Sequence, residues 1–172
     1  MRGATRNIPA ALSLALCAAV CGCSAPTRLQ PPRDGETVRV VRVVDGDTIR
    51  VALPYGEEAV RYIGIDTPES VKPDSPVECF GKRASAFNER LVAGERVRLV
   101  PDVEARDRYG RLLAYVYRAR DGLFVNAELV RRGYATAVTF PPNVAHEREF
   151  RRLARRARMS GRGLWSECAG AG

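Results

Sequence analysis

Histidine is almost missing from this 172-residue chain, which has only His146, and lysine is nearly so, with Lys72 and Lys82 alone. One histidine gives no Ser-His-Asp arrangement without distant partners. With Cys79 and Cys168 far apart in the sequence, it gives no zinc site of the usual type either. His146 falls inside the last amphipathic stretch, where a helix-surface or core role suits it. Repeats are lacking too, and no second shift in composition follows the N-terminal region, so one folded domain is expected. Carboxylates and arginines are left to carry any chemistry.

The first residues read as an address rather than as fold. Met1 to Asn7 carries Arg2 and Arg6, and Ile8 to Val20 is an apolar run. That run is shorter than the ~20 residues of a membrane span and suits a signal peptide over residues 1–22. Its end, "VCGC", resembles the bacterial lipoprotein signal, which implies lipidation at Cys23 and a protein anchored to a membrane on its extracytoplasmic side. Simple secretion with cleavage near Ala25 is the alternative, although Pro26 makes that cleavage awkward. Residues 23–35 then form a proline-containing tether, 36–168 the folded domain and 169–172 a tail. Cys17 and Cys21 leave with the signal, so Cys79 and Cys168 remain as one pair in an exported chain, where a disulfide persists. The formal charge is +8, nearly all positive charge being arginine. The guanidinium fork suits phosphate, although an arginine-heavy composition alone requires no polyanionic partner.

Periodicity gives the elements. "ETVRVVRVVDGDTIRVAL" (36–53) alternates β-branched and polar residues around Asp45-Gly46, as two strands about a tight turn do. "EEAVRYIGI" (57–65), "ERVRLV" (95–100) and "RLLAYVY" (111–117) are further strands. A helix is expected over Cys79 to Ala93, with Phe80, Ala84, Phe87 and Leu91 on one stripe and Gly94 as its stop. A short helix over 123–133 ends at Gly133. The last helix, within 143–161, has Asn143 as its N-cap and Phe150, Leu153, Ala154 and Ala157 on one stripe, its other face dense in arginine. The fold class is α+β, mainly β: a five-stranded OB-type Greek-key barrel with about three packed helices.

Asp45, Asp47, Asp66 and Glu69 cluster in the first half of that domain. Hard cations such as Ca²⁺ take oxygens from carboxylates, carbonyls and water. Pro68 holds Thr67 extended, which leaves the Thr67 carbonyl fixed beside Asp66. Read alone, Asp45-Gly46 is a hairpin turn, Asp66 caps a strand, and Arg61 and Arg111 are solvated charges. Alternation also puts Arg61 and Asp66 on opposite faces, so the strand must bend or end near Gly64.

Together, "VVDGDTI", "RYIGIDTPE", "DRYGRLLAYVY" and "VNAELVRRGYA" resemble the staphylococcal nuclease family in order and spacing, from about Val38 to Trp165. The resemblance implies a Ca²⁺-dependent phosphodiesterase with DNA and RNA as substrates, acting as a monomer. It implies Asp47, Asp66 and the Thr67 carbonyl as metal ligands, with Asp45 as a carboxylate just behind them. Glu69 matches the residue that positions or deprotonates water, and Arg61 and Arg111 match the grip on the reacting phosphate. Arg108 and Tyr109 match a basic-aromatic pair near a terminal phosphate. "TAVTFPPN" (136–143) departs from the family's base-stacking tyrosines, leaving Phe140 as the residue that could stack. The loop "RARDG" (118–122) is longer than the family pattern by about two residues, with neither departure touching the catalytic set. Some domains of the family have lost their catalytic residues, so a non-catalytic nucleic-acid-binding OB module is the alternative. Surface adhesion is a third reading, and it needs none of these residues.

Overall fold

The computed structural model describes Met1 and residues 37–70 and 77–168. The expected leader, Cys23, tether and tail lie outside the described residues. β1 (Thr37–Asp45), β2 (Thr48–Leu53) and β3 (Gly56–Tyr62) form a meander, followed later by β5 (Arg96–Val100) and β6 (Leu112–Arg118). These five close into a barrel in the order β1-β2-β3-β6-β5. All neighbours are antiparallel except β3 and β6, which run parallel with Arg61 opposite Leu113. Alternation along the strands turns Val40, Ile49, Val51, Val60, Val97 and Val116 inward, and all six are fully buried. This is the expected five-stranded OB-type barrel.

The strand expected over 57–65 stops at Tyr62. Gly64 has φ +78, and a Cβ there would sit 2.6 Å from the Phe150 ring, so the chain must turn and only glycine fits. The chain resumes as β4 (Ile65–Asp66), which pairs with β7 (Thr136–Ala137) in a separate two-stranded sheet. The strand thus ends where the opposed faces of Arg61 and Asp66 required it to.

α1 (Gly81–Val92) buries Ala84 and Leu91. Phe80, expected on its stripe, lies outside the helix at φ 72 and packs against Tyr134, whose ring also stacks on Phe87 at 4.0 Å. α2 (Val125–Arg131) follows β6. α3 (Glu147–Met159) starts later than expected, because Asn143 is not its cap. The Asn143 side chain instead accepts from the Glu104 amide at 2.8 Å and donates to the Glu104 carbonyl at 2.9 Å. His146 occupies the position before the helix, with Nδ1 3.0 Å from Glu149 and its ring edge-on to Tyr115. Phe150 and Ala157 carry the buried face. An unexpected short turn, α4 (Leu164–Glu167), leads Cys168 to Cys79, and the two are joined by a disulfide. No helix among the described residues is long and apolar enough to cross a membrane.

Candidate active site

The site begins at the β1–β2 turn. Gly46 admits no side chain, since a Cβ would lie 2.8 Å from the Thr67 Cβ. Thr67 therefore packs directly on the turn and hydrogen-bonds its next residue. Its amide donates to Asp47 Oδ2 at 2.8 Å and its hydroxyl at 2.9 Å. Thr48 donates to the other Asp47 oxygen at 3.2 Å. Asp47 and Thr67 are both buried, so these bonds replace the water that the carboxylate has lost.

Register brings the cation. Thr48 pairs with Arg61 across β2 and β3, which sets the Arg61 side chain beside the turn. Its guanidinium bridges two carboxylates: Nη1 contacts Asp47, and Nη2 donates to Asp66 Oδ1 at 2.6 Å. Burial raises the Asp66 carboxyl above its ordinary range, an effect that the Arg61 charge opposes.

Behind this pair lies a second group of carboxylates. Asp45 Oδ1 accepts from the Gly46 amide at 2.7 Å and from the Ser70 hydroxyl at 2.6 Å. Its carboxyl is pushed up to about 6, chiefly by burial, with contributions from a hydrogen bond to Glu69 and from the nearby Asp47 charge. Glu69 accepts from the Ser70 amide at 3.1 Å. Its own backbone is clamped from the start of the helical region. The Glu69 amide donates to Glu78 Oε2 at 3.1 Å, and the Glu78 amide donates to the Glu69 carbonyl at 3.0 Å.

Arg111 stands just before β6, the strand paired with β3, and so beside Arg61's own strand. Asp107 holds it, accepting from Nε at 2.6 Å and from the Arg111 and Tyr109 amides at 3.0 and 2.9 Å. Arg108 donates to the Tyr109 hydroxyl at 2.6 Å, and both Arg108 and Arg111 lie over the Tyr109 ring. A cleft of about 470 Å³ is lined by Arg61, Arg108, Tyr109, Arg111, Phe140 and Asn143, among others. Phe140 and Tyr109 are both largely exposed there.

The residues singled out in the sequence thus fall into two joined groups. Arg61, Arg108, Tyr109, Arg111 and Phe140 share the cleft. Asp47, Asp66 and Thr67 gather around Arg61, with Asp45 and Glu69 adjoining. Two further residues escaped the sequence reading. Asp107 had a local sign, an aspartate two residues ahead of Tyr109 in a turn containing Gly110. Glu78 had none, since it meets the Glu69 amide nine residues away with no pattern to signal the contact.

Residues 59–167 match the family model described as staphylococcal nuclease homologue. The chain is 39% identical over 131 residues to a thermonuclease of Staphylococcus hyicus, a match covering 76% of each chain. It is 49% identical over 109 residues to a thermonuclease of Staphylococcus intermedius, covering 63% of this chain and 64% of that one. To endonuclease YncB of Bacillus subtilis (strain 168) it is 39% identical over 132 residues, covering 76% of this chain and 62% of the relative. The chain thus spans somewhat less than two thirds of the last two relatives. With a family model matched over residues 59–167, more than half of the chain, and 39% identity over three quarters of both chains in one relative, the chain belongs to the staphylococcal nuclease family.

Proposed function

We propose that the protein is an exported, calcium-dependent nuclease that hydrolyses phosphodiester bonds of DNA and RNA. The observation that carries the reading is the convergence of Arg61 and Arg111 on one cleft whose Arg61 edge is joined to Asp47 and Asp66. Names of the relatives, thermonuclease and endonuclease, agree with this chemistry.

Asp47 and Asp66 suit a hard cation, because their oxygens already converge on one positive group, the Arg61 guanidinium. Among the described residues no three His, Cys, Asp or Glu side chains form a metal-holding cluster. A cation held by Asp47, Asp66 and the Thr67 carbonyl would therefore complete its shell with water, a habit of Ca²⁺. When bound, it supplies positive charge against the phosphate and the developing negative charge of the reaction.

The chain's own groups do the rest. A phosphodiester seated in the cleft meets Arg111, preset by Asp107, and Arg61, which can turn to a phosphate once another positive charge neutralises Asp47 and Asp66. Water attacks phosphorus in line, forming one P–O bond as the bond to the leaving oxygen breaks. Glu69 orients the water and accepts its proton, while the leaving alkoxide takes a proton from solvent. The two guanidinium groups offset the charge that builds on the phosphoryl oxygens. Arg108 and Tyr109 hold a flanking phosphate, and Phe140 offers a face for a base.

Digestion of plasmid DNA and of RNA in Ca²⁺, in Mg²⁺ and in chelator tests the reading. Cleavage of both polymers in Ca²⁺, its loss in chelator and much slower turnover in Mg²⁺ are expected. Full activity in chelator would overturn the metal assignment, and absence of cleavage in every condition would leave a nucleic-acid-binding module instead.

A further inference from the structure

We propose that the outer face of α3 is a second, non-catalytic binding surface for the sugar-phosphate backbone of duplex DNA. The proposal rests on the nuclease reading for its substrate class. α3 carries six arginines in thirteen residues: Arg148, Arg151, Arg152, Arg155, Arg156 and Arg158. At 3.6 residues per turn, all six fall within about 80° of a line through Arg148, opposite the buried Phe150 and Ala157. All six are exposed.

Two ordinary explanations fall short. Cations near a helix C-terminus are favoured by the macrodipole, which accounts for Arg156 and Arg158 but not for Arg148 in the first turn. Surface ion pairing is the other. Over the rest of the domain several exposed arginines are paired: Arg83 with Glu167, Arg120 with Glu95, and Arg131 and Arg132 with Glu128. On α3, Arg151 has Glu147 and Arg158 lies over Trp165. Arg148, Arg152, Arg155 and Arg156 have no ion pair among the described residues, and no acidic residue occurs between Phe150 and Ser166.

Position favours nucleic acid over a lipid surface. Asn143 and Phe140 line the cleft, and the chain passes from them directly into α3, so the arginine row starts near the cleft's rim. From Arg148 to Arg155 it extends about 10 Å along the helix. A bilayer-binding helix needs a free apolar face to insert. Here that face is occupied by the fold through Phe150 and Ala157, leaving a row of charges suited to hydrated phosphates.

The test is binding of the full chain to a long DNA duplex in chelator, where turnover is blocked, over a series of salt concentrations. Each neutralised phosphate contributes about 0.9 to the log–log salt slope. Arg148→Gln/Arg152→Gln/Arg155→Gln is expected to reduce the slope by about 2–3. It should weaken duplex binding at least tenfold while leaving cleavage of a trinucleotide unchanged. The corresponding triple Arg→Lys variant is expected to keep the slope, which separates charge from helix integrity. A glutamine variant with the wild-type slope overturns the proposal. So does one that binds duplex normally but no longer binds phosphatidylserine vesicles, since that outcome assigns the face to membranes. Failure of the wild type to cleave the trinucleotide in Ca²⁺ would count against the nuclease reading alone, because the slope is read without turnover.

Discussion

Arg61 is the residue on which the site turns. It is little exposed, it bridges two carboxylates, and it also lines the cleft, so one side chain couples the proposed cation-binding and phosphate-binding halves. Arg111 is held differently, by Asp107 within its own loop, and remains more accessible. This division gives a sharp expectation. Glu69→Gln and Arg111→Ala should each lower kcat, by ~10²–10⁴ for loss of a general base and ~10²–10³ for loss of a preorganised charge contact. DNA affinity, spread over many arginines, should fall far less. Asp66→Ala should instead abolish tight Ca²⁺ binding, measured by calorimetry, and activity with it. Because the groups act as a unit, the Glu69→Gln/Arg111→Ala double variant should lose less than the product of the single losses. Wild-type cleavage in all three single variants would remove the assignment and favour the binding module.

At the scale of elements, the disulfide and the segment carrying Glu69 are neighbours. Cys79 follows Glu78, whose carboxylate holds the Glu69 amide, and the bridge ties that residue to Cys168 across a separation of 89 residues. In the chain-entropy model a loop of this length contributes ~4–5 kcal/mol, with measured gains often smaller. Cys79→Ser/Cys168→Ser is therefore expected to lower the unfolding midpoint markedly. It should also lower kcat more than it raises KM, since Glu69 loses part of its frame. Thermal unfolding and steady-state kinetics on the same sample check both, and an unchanged kcat would uncouple the bridge from the loop. Elements were also where sequence reading succeeded and failed most clearly. Strands of the barrel were legible because most of them alternate buried with less buried residues over part of their length. The β4–β7 pairing and the Asn143–Glu104 contact were not, since each joins short segments far apart in the chain, and the Glu78 clamp, though only nine residues from Glu69, leaves no period behind either. Asn143 illustrates the cost: a residue with good capping chemistry was claimed by a distant backbone instead.

For the whole molecule, the prediction concerns attachment. If Cys23 is lipidated, the full chain should partition with membranes and incorporate labelled fatty acid, while a chain beginning at Ser24 should be soluble and equally active. Labelling that persists in Cys23→Ser would refute the anchor. The closure of the barrel carries a different consequence, one of time. β1 must find β5, and β3 must find β6 in the one parallel pairing, with Val60 opposite Leu112. A chain still growing can form the β1–β2–β3 meander, yet it has no closed interior until β6 has been made. Contacts so distant in sequence slow folding, because a long loop must be ordered before they yield any gain. The nascent protein therefore stays open until β6, ending at Arg118, has left the ribosome, and α2 and α3 can only dock on the barrel after that.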